Sequence, residues 1–230
     1  MEGRWPGAVT LRRGTSRAES RPWNADVAFA RLSMERGGPA FLGDCADALA
    51  DLGAEAVLSP PLSRASQHLW RQADFVQHAR LRVFRRELDD VLQPDHAVDV
   101  GGRDDIPAAL AVDAAAFDAF WRFDRAAFLE AVEATPRAVI HVVRRGDGLA
   151  GYAITGMGSA IAFLQRIAVH PDHQGLGLGR SLVRAAAIWS HCAGASALVL
   201  NSQYENDAAH ALYRSEGFRD VASGLAVLRK

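Results

Sequence analysis

Apolar and polar positions along this chain switch between helical spacing and strict alternation, and the switches predict its elements. Asp104 to Phe117 (DDIPAALAVDAAAF) reads as a capped helix with Pro107 near its start. The aromatic stretch Phe117 to Asp124 breaks that pattern, and Arg125 to Glu133 resumes it. Ala138 to Arg144 and Leu149 to Thr155 alternate as strands around Arg145-Gly-Asp-Gly148, which has hairpin turn chemistry. Ala160 to Val169 follows as a strand, then a glycine-punctuated loop, a helix Arg180 to Cys192, a strand Ala197 to Leu200, a helix Asp207 to Ser215 and a final strand pair. Upstream, Asp26 to Leu32 reads as a strand, Ser33 to Gly37 as a short connection, and a helix starts near Gly38.

The order of elements repeats. Leu69-Trp-Arg-Gln-Ala-Asp-Phe75 matches Leu212-Tyr-Arg-Ser-Glu-Gly-Phe218, and both lead into strand-like tails, Ala79 to Arg85 and Ala222 to Arg229. Gly53 to Leu58 mirrors Gly194 to Val199, and Gly38 falls opposite Gly179. Strand, helix, strand, helix, strand, strand therefore reads the same in each half. Residues 1–92 and 93–230 read as the two parts, with Arg85-Arg-Glu-Leu-Asp-Asp90 and Gln93-Pro-Asp95 as the linker between them.

The loop between Val169 and Ser181 carries the strongest chemical signal. Gly175, Gly177 and Gly179 let successive backbone N–H groups turn toward one point, and the following helix adds its positive end, so an anion belongs there. A dinucleotide-binding turn would put its first glycine at the strand end and an acidic residue about 20 positions later. Here His170 to His173 intervene, and the next strand ends in Asn201. What remains is Gln-x-x-Gly-x-Gly at Gln174, Gly177 and Gly179, preceded by Ile167-Ala-Val-His-Pro-Asp172 and followed by Asn206-Asp-Ala-Ala-His-Ala-Leu-Tyr-Arg-Ser-Glu-Gly-Phe218. In these segments the chain resembles the GNAT superfamily of acetyl-CoA-dependent N-acetyltransferases, and is similar to its ribosomal-protein acetyltransferase-like members.

That resemblance implies an α/β fold, a mixed, splayed β-sheet flanked by helices, for residues 93–230. It implies a degenerate half-domain of the same kind for residues 1–92, where Met34, Glu35 and Arg36 stand in place of the glycines. It implies that Ile167, Ala168 and Val169 pair with the pantetheine arm of acetyl-CoA. Gln174, Gly175, Leu176, Gly177, Leu178, Gly179, Arg180 and Ser181 would hold the pyrophosphate, and Asn206 would contact pantetheine. Tyr213 takes the position of the acid that protonates the departing sulfur, although a core role is open to it because Trp70 is its counterpart in the repeat.

The base is not legible. The family's glutamate positions are occupied here by Asn201 and, on the preceding strand, by Phe163. Asp118, Asp124, His141, His170, His173, His210 and a water chain remain as candidates, and His170-x-x-His173 is only a weak metal pattern, so no metal is expected. Trp121 and Arg122 fall where the family shapes its acceptor site, although the spacing of Phe117, Phe120, Trp121 and Phe123 is also that of a buried helix face.

Composition narrows the partners. With 49% hydrophobic and 23% charged residues the chain is globular, and its formal net charge of -1 argues against nucleic acid or an anionic membrane. No apolar run approaches the roughly 18 residues that span a bilayer. The Arg-rich residues 1–22 lack a hydrophobic stretch, so an edge strand or flexible start is expected rather than a secretory signal. Cys45 and Cys192, without a CxxC, read as reduced thiols of a cytoplasmic protein. The expected activity is acetyl transfer from acetyl-CoA to a primary amine by direct attack, on a small molecule or on a protein N-terminus or lysine, by a monomer or an oligomer. The competing reading is an acyl-CoA sensor that performs no chemistry.

Overall fold

A computed structural model describes all of residues 1–230. The chain runs β1 (Glu2–Gly3), β2 (Val9–Arg13), β3 (Ser16–Pro22), β4 (Phe29–Arg36), α1 (Pro39–Asp51), β5 (Ala56–Leu58), β6 (Leu62–Ser63), α2 (Gln67–Arg71) and β7 (Val76–Glu87). It continues as β8 (Asp99–Val100), a single-turn helix (Arg103–Asp105), α3 (Ile106–Ala116), α4 (Arg125–Glu133), β9 (Arg137–Arg145), β10 (Gly148–Met157) and β11 (Ile161–Val169). After a second short turn (Pro171–His173) come α5 (Leu178–Cys192), β12 (Ala197–Gln203), α6 (Asp207–Ser215) and β13 (Arg219–Arg229). No helix is long and apolar enough to cross a membrane.

The chain divides into two compact units, Met1–Arg82 with Ala222–Lys230, and Val83–Val221. In the first, the strand order is β1-β2-β3-β4-β5-β13-β7. Its core gathers Leu32, Leu42, Cys45, Leu49, Trp70, Phe75 and Leu228. Burial pushes the Cys45 thiol up to about 11, as expected of a small apolar side chain in a core. In the second unit the order is β7-β12-β11-β10-β9-β8, with helices on both faces. On one face α5 and α6 bury Leu178, Leu182, Val183, Ala186 and Tyr213 with Leu164 and Leu198. On the other, Ile106 and Val112 of α3 and Phe128 of α4 pack on Val142, Tyr152, Ile154 and Ala168.

The repeat seen in the sequence is present in the backbone. β4-α1-β5-α2-β7 has the same order as β11-α5-β12-α6-β13, and β4 runs parallel to β5 as β11 does to β12. Trp70 meets Phe75 edge-on at 4.9 Å, where the second copy has Tyr213 and Phe218 at 5.9 Å.

The boundaries differ from expectation in three places. Most of the segment Ser33 to Gly37 is not a loop but the end of β4: Ser33, Met34 and Arg36 are paired with Glu19, Ala18 and Arg17, because an available partner strand outweighs the polar composition. Arg85, Arg86 and Glu87 are not linker but the end of β7, whose alternate residues Phe84 and Arg86 point inward, as does Leu88 just after it. The expected final strand pair is the single strand β13, and its last residues complete the first unit, so the break falls at Arg82/Val83 rather than after residue 92.

Candidate active site

β11 and β12 begin as a parallel pair, Ile161 opposite Ala197 through Leu164 opposite Leu200, and pair no further. Both strands continue, β11 to Val169 and β12 to Gln203, so an open wedge lies between them. On its other side β11 stays bonded to β10 as far as Val169 opposite Gly151, with one register shift between Ile154 and Thr155 that places Gln165 in a bulge. The N–H of His170 donates to the carbonyl of Ala150 at 2.9 Å, so alternate residues, Ala168 among them, turn their backbone groups to β10. Ile167 and Val169 therefore present theirs to the wedge. Ala168, between them, lies in the core with its backbone polar groups turned to Tyr152 of β10.

The wedge leads directly into the glycine loop. Gly175 and Gly177 have φ of 76° and 82°, the left-handed region, and a Cβ on Gly175 would meet nothing within 4 Å. The first-turn amides of α5, from Leu178 to Arg180, have no carbonyl within the helix to bond. In the first unit the corresponding space is filled: a Cβ on Gly37 would lie 2.6 Å from the ring of Phe41.

The structure divides the remaining expected residues by role. Leu178 and Ser181 are buried, and the Ser181 N–H donates to Gly177 O at 3.1 Å within the helix, while Leu176 is exposed. Gly179 gives room for Leu212, whose Cδ2 would be 3.3 Å from an added Cβ, and thus serves packing. Gln174 folds back, its Nε2 donating to Val169 O at 3.1 Å. Arg180 is held by the buried carboxylate of Glu216, its Nε 3.0 Å from Oε1. Asn206 caps α6 by accepting from the N–H of Ala209 at 3.1 Å.

Tyr213 is 4% exposed and packs between Phe84 and Phe218, with ring centroids at 5.6 and 5.9 Å. Burial pushes its phenol up to about 12, opposed by the positive charge of Arg166.

The base candidates have structural duties. Asp118 accepts from the N–H groups of Phe120 and Trp121, and Asp124 caps α4 by accepting from Ala127. His170 Nδ1 accepts from Asp172 N–H, with the His173 ring 5.9 Å away. His210 Nε2 donates to Gln203 O and its ring lies against Phe84. Asn201 is exposed, and Phe163 is 40% exposed.

His141 is 6% exposed, its Nδ1 has no hydrogen-bond partner, and desolvation lowers its pKa to about 4. The neutral ring is the folded form, so only the unfolded chain takes up a proton as pH falls below about 6.5. Stability is expected to be flat in this respect above that pH and to fall by about 3 kcal/mol between pH 6.5 and 4. Urea midpoints of the wild type and of His141→Leu, compared across that range, check it: the variant loses this part of the slope.

Sequence reasoning missed the most densely connected cluster in this unit. Asp113, fully buried on α3, accepts two hydrogen bonds from Arg166 of β11, from Nε at 2.7 Å and Nη2 at 2.7 Å. It also accepts from Tyr152 OH at 2.6 Å and from the N–H of Phe123 at 2.7 Å. The Arg166 guanidinium lies between the rings of Phe117 and Phe123, 3.6 and 4.0 Å from their centroids, and donates to Trp121 O at 2.8 Å. One side chain thus ties the Phe117 to Asp124 loop, with Trp121 and Arg122, to the strand that borders the wedge. A sign of it was available: an acidic residue among the core positions Ile106, Ala109 and Val112 needs a buried partner.

The acetyltransferase (GNAT) family profile matches residues 109–218, which span both α3 and the splayed strands. This segment is a GNAT acetyltransferase domain. Among curated proteins, the chain is similar to an aminoglycoside N(6')-acetyltransferase type 1 of Stenotrophomonas maltophilia, 39% identical over 63 residues, 27% of this chain and 41% of that protein. It is also similar to the N-alpha-acetyltransferase RimI of Mycobacterium tuberculosis, 40% identical over 82 residues, 34% of this chain and 50% of that protein. The chain thus spans half or less of the length of these relatives. Among solved structures, a tandem GNAT protein from the clavulanic acid biosynthesis pathway matches 98% of this chain and 83% of its own, with a TM-score of 0.69 at 15% identity. The ribosomal-protein-S18-alanine N-acetyltransferase of Escherichia coli matches 58% of this chain and 91% of its own, with a TM-score of 0.51 at 25% identity. The fold of the tandem neighbour fits the duplicated order of elements in the two units of this chain.

Proposed function

We propose that the protein is an acetyl-CoA-dependent N-acetyltransferase that acts in the cytoplasm on a primary amine. The observation that carries this reading is the edge of β11 at Ile167 and the Val169 N–H, unpaired by any strand, which opens onto the amides of Gly175 to Arg180. An extended pantetheine arm matches an unpaired strand edge, and a pyrophosphate matches converging N–H groups at a helix start. The Val169 N–H polarises the thioester carbonyl oxygen, and the Tyr213 hydroxyl donates to the departing sulfur. Arg180, 42% exposed and held at Nε by Glu216, offers its guanidinium to a phosphate. Trp121 and Arg122 line the acceptor side, and the acceptor's proton leaves through water, because the carboxylates near that loop are engaged in capping. The relatives named as an aminoglycoside N(6')-acetyltransferase and an N-alpha-acetyltransferase mark two acceptor classes to test, an aminoglycoside and an α-amino group.

Calorimetric titration with acetyl-CoA tests the donor site. One molecule per chain is expected, because Phe41 fills the corresponding space in the first unit. Gly177→Glu places a Cβ at a φ of 82° and a carboxylate beside the phosphates, and should weaken binding by about 30-fold in a folded protein. Unchanged affinity would remove the donor-site assignment.

The second reading, an acyl-CoA sensor, draws on the exposed Asn201 and Phe163 at the positions where related enzymes carry an acid. Thiol release with an aminoglycoside and with a peptide bearing an N-terminal alanine separates the two. Tight acetyl-CoA binding without turnover on any amine would favour the sensor.

A further inference from the structure

The back of the glycine loop is met by a segment that belongs to no helix or strand, Gln93 to His96, on its way to β8. Arg184 of α5 anchors this strap. Its Nη1 donates to Gln93 O at 3.1 Å and to Asp95 Oδ1 at 2.9 Å, while Nε and Nη2 bind the Glu216 carboxylate at 2.9 and 3.1 Å. The next residue reaches the loop at two points: the His96 N–H donates to Ser181 Oγ at 3.1 Å, and its Nε2 lies 2.8 Å from Leu176 O. A carbonyl only accepts, so Nε2 carries the proton whether the ring is neutral or charged. The ring also lies against Gly177, where an added Cβ would be 3.3 Å from Nε2.

The carbonyl of Leu176 and the N–H of Gly177 belong to one planar trans peptide and point in opposite directions. With the carbonyl held on His96, the Gly177 N–H is turned away from the ring. Gly177, left-handed at a φ of 82°, borders this peptide directly, and glycine's wide φ range offers it other orientations at little cost. The bond to His96 removes that freedom.

We propose that His96 is a positioning residue for the anion cradle: it touches no ligand, and it orients the Leu176–Gly177 peptide so that the Gly177 N–H stands ready for a phosphate oxygen. The inference rests on reading the cradle as the acetyl-CoA phosphate site. Preorganisation of this kind raises affinity by sparing the ordering of the loop at the moment of binding.

Two measurements on the full chain test it, acetyl-CoA titration by calorimetry and deuterium uptake of residues 174–180 in the free protein. His96→Ala is expected to bind acetyl-CoA about 10-fold more weakly, the loss of one well-placed hydrogen bond, and to take up deuterium faster in that segment. His96→Gln, whose amide can still donate to Leu176 O, should recover most of both, and thermal melting of the two variants should coincide. Wild-type affinity and uptake in His96→Ala would overturn the proposal, as would a glutamine variant no better than alanine. If the wild type binds no acetyl-CoA while His96→Ala still loosens residues 174–180, the donor site falls and the brace stands; unchanged uptake overturns the brace itself.

Discussion

Replacing Tyr213 by Phe is expected to lower kcat by about 10²- to 10³-fold while leaving acetyl-CoA affinity within a few-fold of wild type, the size of effect of one lost donor at a developing charge. The ring stays in place in this variant, because it is buried against the rings of Phe84 and Phe218 and phenylalanine keeps that ring. With the phenol pushed up to about 12, it is protonated at every pH at which the enzyme is assayed. It is also a weaker acid than an ordinary thiol at about 8.5, so complete transfer to the thiolate is uphill and donation of a hydrogen bond is the step that burial favours. The Arg166 charge works against burial and eases that donation. Single-turnover thiol release with an accepted amine checks the prediction. Full turnover by Tyr213→Phe would return the residue to the core role that its counterpart Trp70 has.

Asp113→Leu should destabilise the protein by about 4 kcal/mol, because it leaves Arg166 buried and unpaired. The Arg166 side chain is 10% exposed and that of Asp113 0%, so water cannot take over the lost contacts. The same substitution strips the partner from Tyr152 OH and from the Phe123 N–H. The cost belongs to the unpaired charge rather than to the pair, so the double variant Asp113→Leu/Arg166→Met should be more stable than Asp113→Leu alone. Urea unfolding followed by circular dichroism distinguishes these outcomes. A double variant as unstable as the sum of its parts would mean that the cluster acts as separate contacts. Turnover should fall in the double variant even where stability recovers, since Arg166 is what holds the Trp121 carbonyl and the Phe117 and Phe123 rings to β11.

What the sequence determined by itself is what local signals carry. Helical and alternating periods placed α4 and α6 to the residue and β9, β10 and β11 to within a few, because each pattern is read over neighbouring positions. The glycines of the loop were legible for the same reason: a left-handed backbone leaves a mark at the residue that adopts it. The repeat was legible too, since Trp70/Phe75 and Tyr213/Phe218 occupy matching places in two cores. Only tertiary structure decided matters that depend on a partner distant in the chain. The parting of β11 from β12 after Leu164 and Leu200 is a register fact, and it sorted Ile167 and Val169 from Ala168. Arg85 to Glu87 looked like linker because charge is a local property, whereas alternate burial in β7 is not. Asp113 and Arg166 lie 53 positions apart, and His96 and Leu176 80 apart. No window of sequence contains both members of either pair, so which buried charge meets which, and which side chain braces the cradle, is settled only when the sheet brings them within a hydrogen bond's length.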